Sequence, residues 1–316
     1  MWSPDETLQA PHASPPDDQP IAHSGFVGLV GKPNVGKSTI LNYFLGRKVS
    51  IVSPRPQTTR QRILGILTRP DAQIIFVDSP GWHKPDDPLG RYLIAVAKGV
   101  VQEADVLIPI IDARSGIGRE DEWVFDQVRE SRRPAVLAIN KVDLVKKPTL
   151  LPLMERLAGL TIFEEQVPIS ALTGENMDAL LDTVVRRLPA GPRWYEAAQI
   201  TDQSTEQIIR EFIREQVFRA THQEVPQAVA VMLDGVEEKD RVVVIRATIL
   251  VDRTGQKAIV IGKGGQMLKH IGQAARLDLE RWLGRKVFLE LWVKIHKDWR
   301  SDASILRELG YDAHQQ

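Results

Sequence analysis

The run Gly31-Lys32-Pro33-Asn34-Val35-Gly36-Lys37-Ser38-Thr39 has the residue types needed to hold a polyphosphate with a divalent cation. Gly31 and Gly36 let the backbone turn tightly and bring several N–H groups onto a β-phosphate. Lys37 has the reach to bridge β- and γ-phosphates, and the Ser38 hydroxyl can bind Mg²⁺. Asn34, Val35 and Thr39 complete the candidate nucleotide contact.

Three later phrases read the rest of a nucleotide. Asp78, at the end of an apolar run 74–77, can hold Mg²⁺ through water, and Gly81 can offer its N–H to a γ-phosphate with no Cβ in the way. Asn140-Lys141-Val142-Asp143 closes a second apolar run, 135–139. The Asp143 carboxylate can accept from guanine N1–H and the 2-amino group, two donors that adenine lacks at those positions. Lys141 would lie along the base and Asn140 would tie its loop to the phosphate cradle. Ser170-Ala171 follows the run 167–169, where the Ala171 N–H can meet guanine O6. Between cradle and Asp78, the polar stretch Arg55-Pro56-Gln57-Thr58-Thr59-Arg60 should supply a threonine that completes the Mg²⁺ shell. Thr59 is preferred to Thr58, although spacing does not decide between them.

These loops need strands behind them. Residues 26–30 form a buried-looking strand before the cradle, and Ile40, Leu41, Phe44 and Leu45 form one face of the helix after it, with Gly46 as the stop. Further strands at 63–67 and 106–111 alternate with helical runs near 89–102, 120–130, 149–157 and 176–188. The pattern predicts an α/β fold, a doubly wound, mostly parallel sheet with the motif loops at the carboxyl ends of its strands. The expected organisation is a disordered tail over 1–23, a nucleotide-binding domain over 24–188, a Pro/Gly-marked linker over 189–202, and a smaller α+β domain over 203–316.

Composition narrows the class. The chain has 316 residues, 41 basic and 41 acidic, and no cysteine, which excludes disulfides, Cys-zinc sites and thiol catalysis. No run approaches a transmembrane span, and the proline-rich first 23 residues lack the features of a signal peptide, so the expected location is cytoplasmic. The neutral total hides a bias: residues 253–300 hold 11 Lys and Arg against 4 acids. That excess suits a nucleic-acid groove, and also anionic lipid, which makes peripheral contact with the inner face of the cell membrane a second expectation.

In the C-terminal part, Ser204-Thr205-Glu206-Gln207 reads as a capped helix start. Strands at 228–233 and 241–251 flank an acidic turn at 234–240, and an apolar run at 258–261 leads into Gly262-Lys263-Gly264-Gly265. Helices are expected from 266 and over 274–283, with a last strand at 286–293; Trp292 and Trp299 read as packing residues. This order, with G-x-x-G before a helix, resembles a type II KH domain and implies single-stranded RNA binding by Gly262, Lys263, Gly264, Gly265 and Lys269.

Taken together, Gly31 to Thr39, Gln57-Thr58-Thr59-Arg60, Asp78-x-Pro-Gly81 and the KH-like end make the chain similar to translation-factor-class P-loop GTPases of the Era family, over residues 24 to about 310. The single P-loop separates it from tandem EngA-type GTPases. Ser79 stands where the family usually has Thr, and Trp82 where a smaller apolar residue is usual. The resemblance implies a slow GTPase using GTP/GDP and Mg²⁺, with Asn34 helping to hold a K⁺ ion in place of an arginine finger. It also implies 16S ribosomal RNA and the small ribosomal subunit as partners, in 30S assembly. The rival expectations are a nucleotide-gated RNA chaperone with incidental hydrolysis and a membrane-associated cell-cycle regulator. Trp82 itself carries a message: a Gln at this position orients the attacking water in Ras-like enzymes, and Trp cannot.

Overall fold

The computed structural model describes residues 21–53, 58–82 and 87–311. They form two compact units. The first takes most of the chain up to Asp202; the second holds Gln203 onward together with Ile51–Val52–Ser53, Thr58 and residues 87–92.

The first unit contains β1 (His23–Val30), α1 (Lys37–Leu45), β2 (Ile63–Thr68), β3 (Ala72–Asp78), most of α2 (Pro88–Glu103), β4 (Val106–Asp112), α3 (Arg119–Ser131), β5 (Val136–Asn140), α4 (Lys147–Ala158), β6 (Glu165–Pro168) and α5 (Met177–Val185). The sheet order is β2-β3-β1-β4-β5-β6; only β2 runs antiparallel to its neighbour. β2, β3, β4 and β5 are buried at every position, as strands covered on both faces must be. The chain winds outward from β1 in one direction to β3 and in the other to β4, so the carboxyl end of β1 is the switch point where such sheets bind ligands. Ile40, Leu41 and Phe44 of α1 pack into the core, and Phe44 stacks on Phe76 with ring centroids 5.0 Å apart.

Residues 1–20 of the expected tail, and Arg55, Pro56 and Gln57 of the polar stretch, lie outside the described residues. Ala22 and His23 already belong to the sheet margin: Ala22 donates to Asp71 O at 3.1 Å, and β1 opens at His23. Residues 189–202 are hydrogen-bonded along the first unit. Gln73 Oε1 accepts from Trp194 N and Tyr195 N at 2.7 and 2.9 Å, and Ile66 N donates to Ile200 O at 2.9 Å. The outer edge of β2 would otherwise expose unpaired backbone groups.

The second unit contains α6 (Thr205–Ala220), β7 (Ala230–Glu238), β8 (Val242–Val251), α7 (Thr254–Ile261), α8 (Gln266–Leu283), β9 (Lys286–Ile295) and α9 (Ala303–Glu308). β7 and β8 are antiparallel, β8 and β9 parallel. Ser204 caps α6 through Gln207 N, and Gln207 returns the bond to Ser204 N, as the capping pattern predicts.

The apolar run at 258–261, to which the sequence assigned no element, is the end of helix α7, whose Ile-Val-Ile ending hides the helical pattern. Two local expectations are corrected. The helices expected from 266 and over 274–283 are one helix, α8, which runs through Gly272 without a break. The acidic stretch after residue 233 is not all turn: a bulge between Leu233 and Gly235 carries β7 on to Glu238.

Candidate functional site

Four of the loops singled out by the sequence leave the carboxyl end of a strand: the cradle from β1, Asp78 from β3, Asn140 to Asp143 from β5, and Ser170-Ala171 after β6; Thr59 instead comes from the connection between α1 and β2. Gly36 caps α1 with φ 107°, and a Cβ on it would fall 2.3 Å from Asn140 Nδ2. Only glycine fits both constraints. α1 therefore starts at Lys37 with its first N–H groups, which lack intrahelical partners, at the head of the cradle.

Lys37 is buried. Its Nζ donates to Gly31 O at 2.9 Å and Lys32 O at 3.0 Å, so it curls back over the cradle. Burial pulls its ammonium down to about 8, against the pull of the Asp78 carboxylate. Asp78 is the acidic focus: Oδ2 accepts from Ser38 Oγ at 2.6 Å and from Ser50 Oγ at 2.8 Å, and lies 3.5 Å from Thr59 Oγ1. Burial pushes its carboxyl up, opposed by the Ser38 bond, the Lys37 charge and the Ser50 and Thr59 hydroxyls. Asp78 Oδ1 is buried and has no hydrogen-bond partner among the described residues. A buried carboxylate with one oxygen unfilled and hydroxyls gathered at the other fits Mg²⁺, which is commonly held by one or two carboxylates plus substrate phosphates.

The two threonines separate. Thr59 Oγ1 lies 3.1 Å from Ser38 Oγ, whereas Thr58, grouped with the second unit, gives its carbonyl to Arg214. Thr59 is thus the threonine brought to Ser38 and Asp78. Gly81 packs on the cradle so closely that a Cβ would sit 2.7 Å from Pro33 Cα. Trp82 N donates to Gly31 O at 3.2 Å, and the Trp82 ring is buried edge-on to Trp123, centroids 5.1 Å apart. The ring fills core space and holds no water-positioning group over the cradle.

Asn140 fastens three loops with one amide. Nδ2 donates to Val35 O at 2.8 Å, while Oδ1 accepts from Lys141 N at 2.8 Å and Ala171 N at 3.1 Å. The Ala171 N–H expected at guanine O6 is here engaged with Asn140 Oδ1. Ser170 is buried and its Oγ accepts from Thr173 N at 3.1 Å, closing the turn behind the pocket. Asp143 stands exposed in a single 3₁₀ turn. Lys141 Nζ donates to Asn34 O at 2.6 Å and to Asp112 Oδ2 at 2.8 Å. Asp112 also binds Arg114; partial burial pushes its carboxyl up, but the hydrogen bonds from Arg114 and Lys141 hold it well below the usual range. Asn34 itself is exposed, at φ 65°, a backbone region asparagine tolerates better than most residues.

Asp112, Asp121, Ser50 and Asn42 escaped the sequence reading. Asp121, nearly fully buried, accepts Lys32 Nζ at 2.7 Å and so ties the cradle to α3. Asp112 ends an apolar strand just as Asp78 does, and that signal was present. Asn42 sits on the buried face of α1, where a polar residue needs partners. Nothing in the local pattern marks Ser50.

In the second unit, α7, the 262–265 turn and α8 are joined by left-handed glycines: Gly262 at φ 71°, Gly264 at 58° and Gly265 at 80°. The turn leaves Lys263 and Gly264 exposed, and Lys269 follows on an exposed face of α8. Beside it a groove of about 570 Å³ is lined by Gly265, Leu268, Lys269, Gly272, Arg276 and Phe288, an apolar floor with a basic rim. Trp299 is a packing residue as expected, buried and donating to Ala228 O at 2.8 Å. Trp292 is not: it is 46% exposed, because its strand position points to the open face of the sheet.

Comparison with known proteins agrees with this division. A family model described as 50S ribosome-binding GTPase matches residues 26–141, and a KH domain model matches residues 224–300. GTPase Era of Staphylococcus haemolyticus (strain JCSC1435) is 45% identical over 289 residues, which are 91% of this chain and 97% of that protein. A crystal structure of an Aquifex aeolicus Era variant bound to GDP and AlF4⁻ is 42% identical, covers 92% of this chain and 99% of its own, and superposes with a TM-score of 0.89. A crystal structure of Era with MgGDPNP and nucleotides 1506–1542 of 16S ribosomal RNA has the same identity and coverage, with a TM-score of 0.90.

Proposed function

The chain belongs to the Era family of GTPases, and from that premise we propose that it is a GTP-binding and GTP-hydrolysing switch that binds 16S ribosomal RNA and assists assembly of the small ribosomal subunit. The observation that carries the reading is the convergence of Lys37, Ser38, Thr59 and Asp78 at the switch point of the sheet, with the Asn140 amide linking cradle and base loop.

In this reading residues 24–188 are the GTPase domain, 203–316 the KH domain and 189–202 the segment between. The cradle from Gly31 to Thr39 receives the phosphates, and Lys37 exchanges its two carbonyl acceptors for phosphate oxygens. Ser38, Thr59 and, through water, Asp78 would hold Mg²⁺, which would neutralise negative charge on the phosphates. Gly81 offers its N–H to the γ-phosphate. Asp143 takes the guanine edge, Lys141 lies along the base held by Asp112, and Ser170-Ala171 backs the pocket. Water attacks the γ-phosphorus and the β–γ bridging oxygen leaves on GDP. With Trp82 packed away, this chain's side chains supply little for positioning that water, so intrinsic turnover is slow. Asn34, exposed at the cradle, would hold K⁺, whose charge would sit beside the phosphates. The 262–265 turn and Lys269 take the RNA backbone, and the groove beside α8 takes bases.

Among the described residues no helix is long and apolar enough to cross a membrane. The location proposed is the cytoplasm, with peripheral contact at the inner face of the cell membrane through the basic KH surface.

The test is a fluorescence titration with GDP, GTP and ATP, and a hydrolysis assay with and without an RNA from the 3′ end of 16S ribosomal RNA. Guanine nucleotides alone should bind, and that RNA should bind in competition with unrelated RNA. Equal competition by ATP would overturn the guanine pocket, and no preference for that RNA would overturn the ribosomal role.

A further inference from the structure

We propose that Ser50 is a positioning residue for the Mg²⁺ site: its hydroxyl anchors one oxygen of Asp78 so that the other is presented for the cation's hydration shell. The proposal rests on the reading of Asp78, Ser38 and Thr59 given above. Three hydroxyls surround Asp78 Oδ2: Ser38 Oγ at 2.6 Å, Ser50 Oγ at 2.8 Å and Thr59 Oγ1 at 3.5 Å. Ser38 and Thr59 have an assignment of their own as cation ligands. Ser50 has none, yet it is completely buried.

Its fixation is unusual for a loop residue. The Asn42 side chain binds both backbone groups of Ser50: Oδ1 accepts from Ser50 N at 2.9 Å and Nδ2 donates to Ser50 O at 2.7 Å. The same Oδ1 accepts from Val49 N at 2.9 Å. Asn42 is itself buried on α1, the helix that begins with Lys37 and Ser38. Ser50 therefore presents its O–H from a backbone locked to the cradle helix. Its acceptor, Oδ2, is filled, and all the unfilled capacity of the carboxylate is on Oδ1. Mg²⁺ demands near-ideal octahedral geometry and gives up water reluctantly, so a carboxylate fixed in advance binds its shell at lower cost. Partners of this outer kind typically change metal affinity 10–100-fold when removed.

The experiment measures release of a fluorescent GDP analogue from full-length protein as free Mg²⁺ is varied, for the wild type, Ser50→Cys and Ser50→Ala. Cys keeps the approximate size with a weaker donor, and Ala has none. The free Mg²⁺ that half-suppresses release should rise about tenfold in Ser50→Ala, with Ser50→Cys between, and saturating Mg²⁺ should restore wild-type release in both. Melting of the nucleotide-free proteins checks folding, and if Ser50→Ala does not fold, the shift in Ser50→Cys decides. Folded variants that share the wild-type midpoint overturn the proposal alone. Faster release at every Mg²⁺ concentration with an unmoved midpoint also overturns it, because that is the mark of a packing role. A wild type whose GDP release ignores Mg²⁺ overturns the cation site and this proposal with it.

Discussion

Lys37 carries a cost that can be measured without any nucleotide. Burial draws its ammonium from the ordinary 10.5 to about 8, with Asp78 as the opposing attraction. The unfolded chain has an ordinary lysine, so between about pH 8 and 10.5 the unfolded state holds a proton that the folded state has lost. Stability therefore rises with pH through that window. The gap from 10.5 to about 8 is worth about 3 kcal/mol at 1.36 kcal/mol per pH unit, most of it realised between pH 7 and pH 10. Lys37→Met keeps the aliphatic bulk and removes the titration. Urea unfolding of nucleotide-free wild type and variant, compared at each pH, should show the difference moving in the wild type's favour by about 2–3 kcal/mol from pH 7 to pH 10. Below pH 8 the difference should be flat, with the variant relieved of a desolvated charge. The same buried amine should take up a proton when a phosphate arrives above pH 8. GDP affinity should thus fall about tenfold from pH 7 to pH 9 in the wild type. In Lys37→Met it should be weaker by roughly 10–100-fold at pH 7, for want of charged hydrogen bonds, and should lack that drop. A stability difference constant from pH 7 to pH 10 would refute the reasoning, since it would mean that the ammonium is as well solvated in the fold as in water.

Other outcomes follow from the same geometry. Asp143→Asn should turn preference from guanine to xanthine nucleotides, with a loss against GTP on the order of 10⁴, read by competition between GTP and XTP; retained GTP preference would move the base reader elsewhere. Hydrolysis should run faster in K⁺ than in Na⁺ at equal ionic strength, and Asn34→Gly, which tolerates the φ of 65°, should erase the difference; equal wild-type rates in the two salts would remove Asn34 from that role. Lys263→Asp combined with Gly264→Asp should reduce RNA affinity by roughly a hundredfold or more and flatten its salt dependence, with GTP hydrolysis intact; unchanged affinity in a filter-binding assay would make 262–265 a turn and nothing else.

Strands β3, β4 and β5 were legible because each is an apolar run ending at Asp78, Asp112 or Asn140, and two-sided burial admits little else. The cradle was legible for the same reason: glycine, lysine and serine at fixed spacing leave few backbone paths. The choice between Thr58 and Thr59 was not, since neighbours in a loop differ only in direction, and direction is set by what each meets: Ser38 for one, Arg214 for the other. Ser50 was invisible because its partner, Asp78, is 28 residues away and a serine hydroxyl has no preferred local pattern. In the second unit β-branched residues disguised the end of α7, and α8 runs unbroken where two helices were expected. Asp112 was a missed opportunity, an acid at a strand end of the same kind as Asp78.

The parallel pairing of β8 with β9 has a kinetic consequence. Ten residue pairs, from Val242↔Lys286 to Val251↔Ile295, close that ladder. None can form until the chain has passed through α7, the glycine turn and α8 and come back, whereas β7 and β8 meet across a tight connection. Non-local pairings of this sort slow folding, because loop entropy is lost before contacts reward it. The 262–265 turn is the hinge of that return path. Its glycines join two helices through left-handed backbone that other residues adopt only with strain. Selection on this turn would then have two sources, speed of assembly and the RNA contact proposed for it. Substitutions there should register in refolding rates even where the finished domain is equally stable.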